Sequence, residues 1–351
     1  MTAEVIDKDL FEYALLRPIL QEGGPNSIKI ISGYATHAMA ARHLIETTSH
    51  AKKLDVDLVC GMTGVEGISR PNHMGFLSLQ MHKEFVYDGN FLCSYVRKPL
   101  SVHSKVYVWC KNGTPVQAFI GSANYSETGF HSPSRIETLA ECDPISALKF
   151  FEAIKPKAVA CDRVNFNVDL PRRQRSFTFT TPTPSGAVEM ETDKDSPFYN
   201  YEKITLSLLT RDGTTGNGSR LNWGVRPDGT PRTSENSNGV VSRRNPNQAY
   251  IGLPSVFQTC GFFPDIGHRF SVLTDDNQIF TCVRAQANGK GIETPQDNSE
   301  IGRYFRNRLG LPSGAYIDVA DLEHYGRTDV IFYKLNNEEY VMDFSVKERS
   351  M

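Results

Sequence analysis

The sequence predicts two unlike halves: an α/β half with a mixed sheet and flanking helices, then a mainly β half of barrel-like build. Three observations support this. Over residues 1–162, β-branched and aromatic runs alternate with longer amphipathic ones, the pattern of strands and covering helices. Residues 163–199 carry Pro171, Pro182 and Pro184, a Thr/Ser-rich run and the basic cluster Arg172, Arg173 and Arg175, and read as a linker. From residue 200 onward, short strand-like runs recur between Gly, Asn and Asp turns, as in a barrel.

In the first half a strand is expected over Ser27–Ala35, a helix capped by Thr36 up to Lys53, and a strand over Val56–Met62. A helix over Phe76–Phe85 follows, then strands at Phe91–Val96, Val102–Cys110, Val116–Ile120 and Glu137–Cys142, and a helix from Pro144 to about Ala158. Val102, Val106, Tyr107, Val108 and Trp109 favour a strand, and Lys111-Asn-Gly-Thr-Pro115 closes it with turn residues. His37, His43 and His50 read as packed or solvated helix residues, and Gly61 and Gly64 as a turn. In the second half strands are expected at Ile204–Leu209, Gln248–Ile251, Arg269–Leu273, Gln278–Arg284, Ala315–Val319, Val330–Leu335 and Glu339–Phe344, with a helix over Glu300–Leu309.

Composition bounds the function. At 351 residues the chain is long enough for two domains with cores of their own. A hydrophobic content of 39% and a charged content of 22% are those of an ordinary globular protein, and the formal charge of −2 argues against a uniformly basic coat. The seven cysteines form no Cys-x-x-Cys pair, which fits a reducing compartment without structural zinc. The first residues, Met-Thr-Ala-Glu-Val-Ile-Asp-Lys, hold no apolar signal core, and no stretch approaches the ~20 apolar residues of a membrane span. A cytoplasmic protein without a membrane partner is expected.

The chemistry concentrates in Ser101-Val-His-Ser-Lys-Val and in Ile120-Gly-Ser-Ala-Asn-Tyr-Ser126. With alternating side chains, His103, Lys105, Tyr107 and Trp109 share one strand face, and the first two project about 6.5 Å apart. One phosphate spans that gap: the lysine neutralises an oxygen, and the imidazole attacks phosphorus or protonates a leaving oxygen. Gly121 permits close approach to an anion, while Ser122 and Asn124 supply neutral donors.

His-x-Lys followed by Gly-Ser-x-Asn resembles the phospholipase D superfamily. The resemblance implies catalytic roles for His103, Lys105, Ser122 and Asn124, completed by an acidic residue on a later strand, Glu137 with Glu141 as the alternative. The family's Asp five residues after the Lys falls on Cys110 here, and the spacing to the glycine is longer. The composite motif occurs once. Phosphohistidine chemistry needs two imidazoles, so the expected active unit is a homodimer with two His103 and two Lys105 at a two-fold axis. No metal and no other cofactor is then required for hydrolysis.

Charge in the second half is uneven: Arg220, Arg226, Arg232, Arg243 and Arg244 cluster, while residues 318–343 are mostly acidic. With Asn222, Trp223, Asn236, Asn245 and Asn247, and with Arg284, Gln286, Asn288 and Lys290 in a second polar segment, these residue types suit phosphates and base edges. Together the halves resemble the restriction endonucleases of the BfiI and NgoAVII type, which join a phospholipase D-like nuclease to a B3-like DNA-recognition pseudobarrel with two arms for the major groove. The resemblance implies a site-specific endonuclease acting on double-stranded DNA: residues 1–162 nuclease and dimerisation domain, 163–199 linker, 200–351 recognition domain. Some such enzymes work with a separate helicase-like NTPase subunit, so ATP enters only through that partner, because this chain holds no Gly-x-x-x-x-Gly-Lys-Ser/Thr. The rival readings are a hydrolase of another phosphodiester and a non-catalytic DNA-binding regulator.

Overall fold

A computed structural model describes residues 5–82, 87–132, 135–171, 201–235 and 238–346. The chain divides into two compact units, Met1–Arg175 and Ser176–Met351.

The first unit is an eight-stranded mixed sheet. Its strands are β1 (Val5–Ile6), β2 (Ser27–Ser32), β3 (Asp55–Cys60), β4 (Phe91–Val96), β5 (Val106–Lys111), β6 (Thr114–Gly121), β7 (Leu139–Cys142) and β8 (Ala158–Ala160), in the order β1-β7-β6-β5-β2-β3-β4-β8. β2, β3 and β4 run parallel, joined by crossovers through helix α1 (His37–Ser49) and helix α2 (Arg70–Gln80). Alternation along β5 explains the layering. Tyr107 and Trp109 enter the core with Ile28, Ile30, Val56, Leu58, Met39 of α1 and Phe76 of α2. Val106, Val108 and Cys110 enter a second core with Ala147, Phe151 and Ile154 of helix α4 (Pro144–Ile154); the short helix α3 (Glu127–His131) precedes β7. Both faces are thus covered, as a sheet with parallel strands requires.

Several boundaries differ from expectation. The strand expected over Val102–Cys110 begins only at Val106, because the Val102 N–H pairs with the Gly61 carbonyl (2.9 Å) and not with a neighbouring ladder. α2 starts six residues earlier than expected: the Ser69 hydroxyl accepts from the Asn72 N–H (3.4 Å), and Pro71 suits the first turn. The helical stretch Glu12–Leu20 has no counterpart in the sequence reading; the Trp109 indole N–H donates to the Ala14 carbonyl there (2.8 Å). Leu170 belongs to the first core, and the Asp169 carbonyl accepts from the Lys98 N–H (2.8 Å), so residues 163–170, read as the start of the linker, pack on this unit. Arg172, Arg173, Arg175, Pro182 and Pro184 lie outside the described residues, as does Asn236.

The second unit holds β9 (Glu202–Ser207), β10 (Thr233–Glu235), β11 (Val241–Arg243), β12 (Ile251–Gly252), β13 (Arg269–Thr274), β14 (Ile279–Ala285), β15 (Gly291–Glu293), β16 (Asp329–Lys334) and β17 (Glu339–Asp343). β10 and β11 form a separate hairpin; the other seven make one sheet in the order β12-β15-β14-β13-β17-β16-β9, whose terminal strands come into contact, so that it nearly closes into a barrel. Helix α5 (Glu300–Arg308) gives Ile301, Tyr304 and Phe305 to its core. The strand expected over Ala315–Val319 is absent from the described structure. Asp318 instead caps helix α6 (Val319–Tyr325), accepting from the Asp321 N–H (3.0 Å) while the Asp321 carboxylate accepts from the Asp318 N–H (2.8 Å), a capping box that overrides the local strand propensity.

Arg308 locks this unit. Its guanidinium meets the buried Asp275 carboxylate with two bonds (3.0 and 2.8 Å) and also donates to the Tyr325 hydroxyl (2.6 Å). Arg308→Ala leaves Asp275 charged and buried without its cation, so it is expected to lower stability by about 3–5 kcal/mol. A fall in the denaturant midpoint of the second unit's unfolding checks this.

Candidate active site

The residues of the composite motif converge at the carboxyl ends of β2 and β3 and at the end of β6. β2 ends at Ser32 and leads into Gly33-Tyr34, and β3 ends at Cys60 and leads into Gly61. Gly61 is needed for close approach, because a Cβ there would lie 1.9 Å from the Val102 carbonyl oxygen; the segment leading to His103 can run against it only without a side chain. Gly61 therefore seats the chain. His103 comes to rest over Gly33, where a Cβ would stand 2.8 Å from the imidazole Cδ2 and 3.4 Å from the Asn124 Oδ1, so Gly33 is the point at which His103 and Asn124 meet. The Tyr34 ring packs edge-on to the imidazole (5.7 Å between centroids), and its hydroxyl donates to the Glu66 carboxylate (2.6 Å).

Lys105 does not project in parallel with His103, as alternation would have it. Both precede the ladder of β5, and the Lys105 ammonium turns back to donate to the His103 carbonyl (2.8 Å), with the two ring nitrogens at 3.1 and 3.3 Å. Lys105 is buried while His103 is exposed. Burial lowers the lysine's affinity for its proton, and the charge of Glu137 opposes that. Tyr107 and Trp109, placed on the same face by the period of two, are core residues and not site residues.

Asn124 is oriented by its surroundings. Its Oδ1 accepts from the Tyr34 N–H (3.1 Å), which turns the amide nitrogen with its two donors the other way. Around it, Ser32 Oγ accepts from the Tyr125 N–H (2.8 Å), the Tyr107 hydroxyl donates to the Ala123 carbonyl (2.7 Å), and the Tyr125 hydroxyl meets His43 Nδ1 (2.9 Å). His43 is buried, with Nε2 against the Leu15 carbonyl (3.0 Å); desolvation pulls its pKa down to about 4, so it is a neutral structural residue. Arg42 pairs with the buried Glu127 at the start of α3 (2.9 Å), fixing the far end of the loop.

Ser122 is exposed, and its Oγ accepts from the Thr138 N–H (2.9 Å) while its N–H donates to the Thr138 carbonyl (2.9 Å). This pairing brings Glu137 to the site two residues before β7 begins. Gly121 serves the same pairing, since a Cβ there would lie 2.0 Å from the Thr138 carbonyl oxygen; its expected role of admitting an anion is replaced by admitting a neighbouring strand. Glu141, the alternative acid, accepts from Gln117 Nε2 on β6 (2.6 Å) and is exposed, so Glu137 is the acid near Lys105. The sequence reading overlooked a second His-x-Lys, His50-Ala51-Lys52, which follows α1 and leads into β3 and not into a Gly-Ser-x-Asn segment. Among the described residues no group of three or more His, Cys, Asp or Glu is placed to hold a metal ion.

In the second unit the candidate DNA residues separate into two sets. Asn222 is fully buried, donating to the Ile317 carbonyl (2.7 Å) and accepting from the Ile317 N–H (3.0 Å). Asn247 is buried, accepts from the Gly314 N–H (2.7 Å) and donates to Ser313 Oγ (2.9 Å); Arg284 is buried and donates to the Gln258 and Pro264 carbonyls (2.7 and 3.0 Å). Arg220 donates to the Ser207 carbonyl (2.9 Å) and folds over Gly252. These four are structural, because irregular backbone outside the ladders leaves carbonyls that long polar side chains must satisfy. Arg226, Arg243, Asn245, Asn288 and Lys290 are exposed. Trp223, Arg244 and Gln286 are half-buried, and the Arg244 guanidinium stacks over the Trp223 ring at 4.6 Å while donating to Gln248 (3.0 Å).

The comparisons with known proteins follow this division. Residues 8–168 match a family model described as the NgoFVII restriction endonuclease N-terminal PLD domain, and residues 197–336 match the NgoFVII C-terminal B3-like DNA-binding domain. The chain belongs to the NgoFVII restriction endonuclease family. It is a phosphodiesterase nuclease with a DNA-binding domain, and double-stranded DNA is its partner. Among solved structures, NucT from Helicobacter pylori is 17% identical, with 45% of this chain and 98% of that one covered at a TM-score of 0.30. Nuc from Salmonella typhimurium, a phospholipase D family member, is 15% identical over 45% and 97%, with a TM-score of 0.32. Polyphosphate kinase from Porphyromonas gingivalis is 12% identical over 50% and 26%, with a TM-score of 0.30. No curated protein matches the chain.

Sequence reasoning missed Gly33, Tyr34 and Ser32 in this NgoFVII-family nuclease domain. A usable signal existed: they stand at the carboxyl end of a buried parallel strand, where open α/β sheets place their ligand sites. Cys110, at the position of the superfamily Asp, is buried on the opposite face of the sheet from Tyr107 and takes no part in the site. For the B3-like domain, Arg243→Ala is expected to weaken DNA binding and reduce the salt slope by about 1 without changing stability. Asn222→Ala is expected instead to lower stability by about 1–3 kcal/mol. Salt titrations of affinity beside unfolding curves separate the two.

Proposed function

We propose that this protein is a site-specific endonuclease that hydrolyses double-stranded DNA without a metal, through a covalent His103 phosphoenzyme in a two-copy active site. The observation that carries the reading is the convergence of the exposed His103 with the Lys105 ammonium, the Asn124 amide and Glu137 in a chain that also has a DNA-binding domain. An imidazole nitrogen of His103 attacks phosphorus, forming an N–P bond as the P–O bond to one strand end breaks. The imidazole of the second copy's His103 protonates that leaving oxygen. Water then attacks phosphorus, gives its proton to the second imidazole, and the N–P bond breaks. Lys105, released from the His103 carbonyl by the incoming phosphate, neutralises a non-bridging oxygen; Asn124 Nδ2 and the Ser122 hydroxyl donate to it, and Glu137 holds Lys105 in its charged form.

Ile120 and Ile136 support the second copy. They are 44% and 91% exposed, adjoin Gly121 and Glu137 in sequence, and leave apolar surface beside a site that needs a second imidazole. Specificity falls to two arms of the barrel domain: the excursion between β9 and β12, bearing Arg226, Arg243, Arg244 and Asn245, and the turn between β14 and β15, bearing Gln286, Asn288 and Lys290. A helicase-like NTPase subunit is proposed as a further partner only for the case in which the chain binds its site and does not cut.

The test is incubation of the purified chain with mixed-sequence duplex DNA in EDTA. Discrete fragments are expected; cleavage that appears only when a divalent metal is restored overturns the metal-free mechanism.

A further inference from the structure

Gln286 is held in place by both its backbone and its side chain. It opens the turn between β14 and β15 with φ 65° and ψ 168°, a backbone region normally confined to glycine, which persists only where the surroundings fix it. Its Nε2 donates to a carboxylate oxygen of Glu293 on β15 (3.1 Å), and Glu293 is largely buried. Its stem crosses Gly291, where a Cβ would stand 2.8 Å from Gln286 Cγ and 3.0 Å from Tyr250 Cδ2. Tyr250 in turn packs edge-on to Trp223 (5.6 Å), which carries the Arg244 guanidinium. Gln286 thus adjoins the aromatic and basic cluster of the other arm.

A carboxylate only accepts hydrogen bonds, so Glu293 turns the Gln286 amide one way: the NH₂ toward itself and the carbonyl oxygen away from it. That leaves the oxygen as an acceptor and the second Nε2 hydrogen as a donor for a ligand. In the major groove, adenine alone offers the complement on one base, an N6 donor next to the N7 acceptor; guanine presents two acceptors, and cytosine has the amine without the ring acceptor.

We propose that Gln286, held by Glu293, reads one adenine of the recognition sequence through N6 and N7. This rests on the DNA-recognition reading above and names the base that the short arm takes.

The experiment selects bound duplexes from a randomised pool with wild type, then replaces each adenine of the selected site by purine, which lacks the N6 amine, or by 7-deazaadenine, which lacks N7. One adenine is expected at which each replacement weakens wild-type binding by about tenfold to a hundredfold, the range for one bidentate pair. In Gln286→Ala the same replacements should cost nothing further. Glu293→Gln, close in shape, frees the amide to flip and should let guanine compete with adenine at that position alone. If wild type selects a sequence and Gln286→Ala discriminates every position as before, this assignment is overturned while site-specific binding stands. If wild type selects no sequence, the recognition reading falls with it.

Discussion

His103→Ala is expected to abolish cleavage, by at least about 10⁴-fold, while leaving specific DNA binding and folding intact. The size of the effect follows from the proposed bonding. The imidazole is itself the atom that joins to phosphorus, and in a two-copy site the substitution removes both the nucleophile and the acid that protonates the leaving oxygen. The fold does not depend on it, because His103 is exposed, and the Val102 N–H and the Gly61 carbonyl, not the imidazole, seat the segment. Quenching a wild-type reaction in denaturant at alkaline pH, where an N–P bond survives, should trap a protein-linked DNA end that His103→Ala does not form. Full cleavage by His103→Ala would sink the catalytic assignment; cleavage loss without any adduct in wild type would leave the histidine essential and remove its role as nucleophile.

The second large effect is expected from Ile136→Asp combined with Ile120→Asp. Both side chains are exposed, so two carboxylates there carry little folding cost, yet in the proposed two-copy site they would place like charges across the two-fold axis. The mass in solution should fall from twice 39.3 kDa to 39.3 kDa, and cleavage should fall by at least about 10³-fold, recovering in part as protein concentration rises. Sedimentation and single-turnover cleavage on one concentration series check this. A wild-type monomer that cuts with a rate independent of its concentration would overturn the two-copy site.

The separation of the candidate DNA residues has a physical lesson. Asn222 and Asn245 are alike as residue types and lie in the same irregular excursion, but Asn222 is fully buried against the backbone at Ile317 whereas Asn245 is exposed. A polar side chain in a loop has two ways to be satisfied, and local sequence does not say whether a carbonyl from nearly a hundred residues away will be in reach.

What the sequence by itself determined is the nuclease class and the division of the chain. His103, Lys105, Ser122 and Asn124 announce themselves because phosphate chemistry constrains residue type and spacing together, and the change from alternating elements to short strands marks two folds because hydrophobic periodicity is a local property. The tertiary structure alone decided the geometry. Lys105 folds back on His103 instead of standing parallel to it because the ladder of β5 starts only at Val106, three residues after His103. Gly33 and Tyr34 follow β2 to lie against His103 and Asn124, and the Ser122–Thr138 pairing sets Glu137 near Lys105 while Glu141 pairs with Gln117 on β6. Each of these is a contact between segments distant in the chain, where packing and backbone hydrogen bonding outweigh local preference.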